Sequence, residues 1–133
     1  MRTKKSITSA VLGLLLIVLV PSCEKPPGEG GTSAIKGKIF IKNYNRDGDL
    51  VGEYYGPDER VYIIYGDEDI YGDDMRTHYD GSYMFKNLRK GKYTIYTYSD
   101  ANNDPSGKLA VKITAEITKN KQIVELEDLT IYK

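Results

Sequence analysis

The chain is poor in the residues that most chemistry uses. Its 133 residues include no Trp, one Cys, one His and two Phe. A lone His without Cys or a second His is not a metal constellation. It also leaves no visible nucleophile–base pair, which argues against an enzyme. One thiol cannot close a disulfide within the chain, so a core must hold the fold. Neither charge dominates, with 19 basic and 19 acidic residues, and no basic patch points to nucleic acid as a partner. Long apolar runs are missing too. The one apolar stretch, Ile7 to Val20 (ITSAVLGLLLIVLV), falls short of the ~20 residues a membrane-spanning helix needs.

What surrounds that stretch gives it a meaning. Arg2, Lys4 and Lys5 precede it and Pro21-Ser22-Cys23 follows it, the layout of a secretory signal. A Cys directly after the apolar region, with the small Ser22 before it, resembles the lipid-attachment Cys of bacterial lipoproteins. Val20 and Pro21 depart from the commonest box, which resembles the looser Bacteroidota type. The resemblance implies a signal peptide over 1–22 and a lipidated Cys23. It also implies an outer-membrane location, with periplasmic or surface facing left open. Such lipoproteins carry two or three acyl chains, enough for stable anchoring. An uncleaved anchor and a secreted protein with a free thiol are the alternatives. Loss of Arg2, Lys4 and Lys5 leaves 16 basic residues against 19 acidic, a net charge of −3. Residues 23–33 (CEKPPGEGGTS) contain Pro, Gly and polar residues and predict a flexible tether.

From Ala34 on, the pattern is that of strands. Ile35, Gly37, Ile39 and Ile41 share one face of a strand over 34–43. Asn43 to Glu59 is polar, with Asp47-Gly48 as the tip of a hairpin. Its Asn43-x-Asn45-x-Asp47-Gly48 resembles the opening of a calcium loop, but Tyr54 stands where a bidentate Glu is needed. Arg60 to Tyr65 is apolar on both faces. Asp67, Glu68, Asp69, Asp73 and Asp74 then surround Ile70-Tyr71, as a solvated loop or a cation site. Leu109, Val111, Ile113, Ala115 and Ile117 alternate. A closing strand, Ile123 to Tyr132, slips at Glu127-Asp128 as a bulge would.

The stretch Thr77 to Ser99 (THYDGSYMFKNLRKGKYTIYTYS) organises the rest. Asp80-Gly81 signals a turn. Tyr83 and Phe85 point inward from one strand; Tyr93, Ile95 and Thr97 point inward from the next. Leu88, the one apolar residue in the break between them, plugs the core. Leu88-x-x-Gly91-x-Tyr93 resembles a tyrosine corner, in which a buried phenol bonds to backbone upstream. The Tyr93 hydroxyl is expected at the backbone of residues 86–89, at a worth of about 1 kcal/mol.

The pattern T-x-x-D-G-S-Y-x-F-x-N-L-x-x-G-x-Y-x-I over 77–99 resembles the strand–corner–strand signature of transthyretin-like (prealbumin-like) domains. These include the carboxypeptidase regulatory-like and Cna B-type repeats. The resemblance implies an all-β fold, a single seven-stranded Greek-key sandwich over 34–133, of a kind that is usually an accessory or linking module. Its catalytic branch, the hydroxyisourate hydrolases, needs several His and Arg residues and a C-terminal Tyr-Arg-Gly-Ser. This chain ends Thr130-Ile131-Tyr132-Lys133.

Two sets of residues are candidates for binding. Tyr96 and Tyr98 lie on the outward face of their strand, and Tyr62 on a separate strand, so the three could form an exposed aromatic patch for protein or glycan. Loops or a partner could equally cover them. Asp100, Asn102 and Asp104 have the i, i+2, i+4 oxygen spacing of half a calcium loop, but no terminal Glu follows, and Asx turns use the same residues. The expected function is that of a lipid-anchored, non-catalytic envelope domain that binds or scaffolds a protein or glycan. The alternative is a calcium-dependent carbohydrate-binding module.

Overall fold

The computed structural model describes residues 24–133. The expected signal peptide and Cys23 lie outside the described residues. Nine strand segments make up the fold: β1 (Glu29–Tyr44), β2 (Leu50–Tyr55), β3 (Arg60–Tyr65), β4 (Asp73–Arg76), β5 (Ser82–Leu88), β6 (Gly91–Asp100), β7 (Lys108–Ile117), β8 (Ile123–Glu125) and β9 (Leu129–Tyr132). The expected all-β class holds, but the expected count of seven does not. β4 is an additional short edge strand in the acidic stretch read as loop. The closing strand is divided into β8 and β9 by residues 126–128, where the alternation slips.

β1 is long because it serves four partners. Along one edge it pairs antiparallel with β5 and then with β2. The handover is at Ile39, whose N–H donates to Gly81 O and whose C=O accepts from Gly56 N–H, both at 2.9 Å. Along the other edge β8 and β9 run parallel to it. The second sheet is antiparallel throughout, in the order β4-β3-β6-β7.

The period-two alternation sends one face of each sheet into a common core. Ile35, Ile39 and Ile41 of β1, Tyr83, Phe85 and Leu88 of β5, and Leu129 and Ile131 of β9 meet Val61 and Ile63 of β3, Tyr93 and Ile95 of β6, and Ala115 and Ile117 of β7. Burying each aliphatic side chain contributes about 1.5–3 kcal/mol. Leu109 departs from the expected pattern. It stands in register with Val111 but lies past the end of the core and is exposed.

The corner between β5 and β6 forms as expected and holds more than expected. Asn87, one residue before the end of β5, takes a left-handed φ of 57°, and the register against β1 shifts there. Tyr93 is buried, and its hydroxyl donates to Arg89 O at 2.6 Å. The same hydroxyl accepts from Gly28 N–H at 2.9 Å, 65 residues upstream. Arg89 adds a bond from Nε to Pro26 O at 2.7 Å, and its N–H donates to Gly28 O at 2.9 Å. Pro27 packs where a Cβ on Gly91 would come within 2.4 Å of its Cγ. Residues 26–28 are therefore docked on the corner and β1 begins at Glu29, so the stretch read as tether is largely part of the domain.

Candidate functional site

Alternation along β3 and β6 places Tyr62, Tyr96 and Tyr98 on the outer face of the four-stranded sheet. Their inward neighbours Val61, Ile63, Ile95 and Thr97 fill the core, with Thr97 Oγ1 donating to Arg60 O at 2.8 Å. The register puts Tyr62 directly opposite Tyr96. Their rings stack, 4.8 Å apart and 11° from parallel. Tyr98 meets both edge-on, at 5.8 Å from Tyr62 and 5.7 Å from Tyr96. The sequence-predicted trio is thus brought into mutual contact.

A fourth ring joins them. Tyr71, on the loop before β4, sits edge-on to Tyr62 at 4.9 Å. Sequence reasoning left it in an acidic loop; the signal available was an isolated apolar pair, Ile70-Tyr71, in a run of carboxylates. Ring contacts of this kind contribute about 0.5–1.5 kcal/mol each beyond burial, so the four rings form a preorganised surface. Tyr62 and Tyr96 are its half-buried middle. Tyr71 and Tyr98 are its exposed flanks, each 45% accessible. Tyr98 stays open because its neighbour on β7 is the small Ala110, whereas Tyr96 faces Lys112. Asp74, opposite Tyr62 on β4, borders the other side and pairs with Arg60 at 3.5 Å. Burial, then the neighbouring Tyr98 and Tyr62, raises the Tyr96 hydroxyl above the ordinary tyrosine value. It therefore remains a neutral donor and acceptor at physiological pH. Chemically, the face offers ring surfaces for C–H groups and hydroxyls for hydrogen bonds.

The calcium-like residues come out differently. Asp100 is paired with Lys108. Asp104 accepts from Ser106 N–H at 2.8 Å and from Ser106 Oγ at 2.5 Å, an Asx turn, and these bonds hold its carboxyl below the usual range. Asn102 is exposed on the same loop. Likewise Asn45 Oδ1 accepts from the N–H groups of Asp47 and Asp49, both at 2.9 Å, and closes the β1–β2 hairpin. Among the described residues no group of three or more His, Cys, Asp or Glu side chains is placed to hold a metal. His78 is exposed on the turn before β5.

No protein-family model matches the chain, and no curated protein matches it in sequence. Among solved structures, the fold is similar to that of a candidate carbohydrate binding protein from Pseudomonas aeruginosa. The similarity has a TM-score of 0.50 and 14% identity, and covers 77% of this chain and 90% of that one. At that identity it establishes a shared all-β architecture and carries no residue roles across.

Proposed function

We propose that this chain is a lipid-anchored, non-catalytic envelope domain of the transthyretin-like type that binds a glycan through its tyrosine face. The observation that carries the reading is the contact cluster of Tyr62, Tyr71, Tyr96 and Tyr98 on one sheet face. Aromatic rings with an open flank and a hydroxyl fringe suit the alternating C–H and O–H surface of a sugar ring. The fold-level likeness to a candidate carbohydrate binder agrees with this. Anchoring rests on the apolar stretch and Cys23. The non-catalytic reading rests on a single, exposed His and the lack of a nucleophile motif.

The test is a glycan array probed with the tagged chain and with Tyr71→Ala and Tyr98→Ala. These rings flank the cluster, so their loss leaves the Tyr62–Tyr96 stack and the core in place. The expected result is glycan capture by the parent chain and its loss in both variants, with Tm retained. Capture undiminished in both variants would refute the face as the site. No glycan captured, with a stoichiometric protein crosslinked at Tyr98, would replace the sugar by a protein partner.

A further inference from the structure

The corner end of the sandwich carries a second feature, unrelated to the tyrosine face. A cleft of about 440 Å³ is lined by Glu24, Lys25, Arg89, Lys90 and Lys121 and by the backbone around Gly30-Gly31. Four of the charged groups are cations and one is a carboxylate. None of the four cations is in an ion pair among the described residues, although six such pairs form elsewhere on the surface. The fold holds the Arg89 side chain and the Lys121 backbone in place. Arg89 is held by Pro26 O, and Lys121 N–H donates to Thr32 Oγ1 at 3.0 Å. Acidic residues at this end line other grooves: Asp67 and Glu116 one with Lys92, and Glu29, which accepts from the Tyr65 hydroxyl, another. The cationic side is therefore local, in a chain whose mature charge is slightly negative.

We propose that this cleft seats the phosphate of an anionic phospholipid headgroup and sets the domain corner-down on the bilayer. The occupant follows from the path of the chain. Glu24 lines the cleft, and Cys23 is the next residue, one Cα–Cα step of ~3.8 Å away. With Pro26 to Gly28 docked on Arg89 and Tyr93, only Glu24 and Lys25 separate the acylated residue from the domain. On the lipid-anchor reading of Cys23, a lipidated residue directly before the cleft-lining Glu24 brings headgroup phosphates to the cleft as the anions at hand. The inference rests on the lipid-anchor reading of Cys23 and not on the tyrosine face.

The test uses the full mature chain purified from membranes. Its intact mass first reports acylation of Cys23; an unmodified thiol would overturn the anchor reading and this proposal with it. The acylated chain is then placed in vesicles of phosphatidylcholine alone, or of equal parts phosphatidylcholine and phosphatidylglycerol. Amine-reactive labelling is read lysine by lysine. In the anionic vesicles, labelling of Lys25, Lys90 and Lys121 should fall about fivefold, as expected for cations at an anionic surface, while Lys36 and Lys112 stay unchanged. High salt should restore it. Equal labelling in the two vesicles, on a chain shown to be acylated, overturns the headgroup site and leaves the anchor standing. Inorganic phosphate added to the chain in detergent should not reproduce the protection. If it does, the cleft is a site for a soluble anion and the membrane assignment is wrong. In Lys90→Gln/Lys121→Gln, both positions exposed, protection at Lys25 should weaken with Tm unchanged; full protection would also count against the site.

Discussion

Two tyrosines of the core, Tyr83 and Tyr93, are each 1% exposed, yet the same substitution should move stability in opposite directions. The Tyr93 hydroxyl serves two backbone groups: it donates to the half-buried Arg89 O at 2.6 Å and accepts from the buried Gly28 N–H at 2.9 Å. Tyr93→Phe removes one bond worth about 1 kcal/mol and leaves a buried N–H unpaired, which costs about 1–3 kcal/mol more. We expect a loss of about 2–4 kcal/mol, larger than a single corner bond would give. At roughly 4 °C per kcal/mol for a domain of this size, Tm should fall by about 8–16 °C. Tyr83 lies over Gly37, and its hydroxyl has no hydrogen-bond partner among the described residues. Burying an unpaired hydroxyl costs about 1–3 kcal/mol, so Tyr83→Phe should raise stability by about 1 kcal/mol or leave it unchanged. Thermal and urea unfolding of both variants in one buffer decides the matter, with equal m-values checking that both unfold from comparable states. Equal losses in the two variants would refute the reasoning, because burial and ring volume are alike and only the partners differ. A Tyr93→Phe variant within about 2 °C of the parent would refute the docking of Gly28.

Other consequences can be measured. Gly31→Ala should destabilise by about 3 kcal/mol or prevent folding, since its Cβ would lie 2.0 Å from Leu88 O and the obstruction is backbone; soluble yield and Tm report it. Tyr65 is pushed up to about 12 by burial first and then by Glu29 and Asp73. Its folded value lies above the ordinary 10, so its contribution is fully present below pH 10 and is lost as pH rises towards 12; tyrosinate absorbance and circular dichroism should show unfolding in that window and none between pH 7 and 9. Calcium or a chelator should leave Tm unchanged, because Lys108 and Ser106 already engage Asp100 and Asp104; a calcium-dependent rise would revive the calcium-loop reading. Lys108→Ala removes an exposed pair and should change stability by less than about 1 kcal/mol in a urea titration.

The core was legible in the sequence wherever burial imposes alternation. Ile35, Ile39 and Ile41, the Tyr83–Phe85 pair, Leu88, and the Tyr93–Ile95–Thr97 series occupy the faces their spacing predicts, because a one-residue slip would turn each into solvent. The edge strands were not legible. β2 exposes all but one of its residues, and β4 is four residues long with only Met75 packed against the core, so neither Leu50 to Tyr55 nor Asp73 to Arg76 shows an alternation long enough to read. The docked segment 26–28 was hidden for a different reason. Pro-Pro-Gly reads as linker by composition, and what fixes it is a tertiary contact from Arg89 and Tyr93, more than sixty residues away. At the candidate site, alternation gives the outward direction of Tyr62, Tyr96 and Tyr98. Their contact depends on the register of β3 against β6, and Tyr71 arrives from a loop that no periodicity describes.

If Cys23 carries the proposed anchor, that hidden segment also decides how far the tyrosine face stands from it. A free tether over 23–33 would reach at most ~35 Å when extended and would let the domain tumble. With residues 26–28 on the corner, Lys90 and Gly91 stay beside the point where the chain leaves the domain, and β6 rises from them. Seven residues along β6 separate Gly91 from Tyr98, roughly 23 Å at strand spacing. If the corner rests on headgroups as inferred, Tyr98 is held near that height and faces sideways along the membrane plane, suited to a polymer or partner lying parallel to the bilayer. Tyr93→Phe, which frees Gly28, should then weaken capture of a membrane-bound partner at a temperature where the domain is still folded. The same variant released from its lipid should bind the soluble ligand as the parent does. Equal capture by both lipidated forms would show that the tyrosine face works without a fixed orientation.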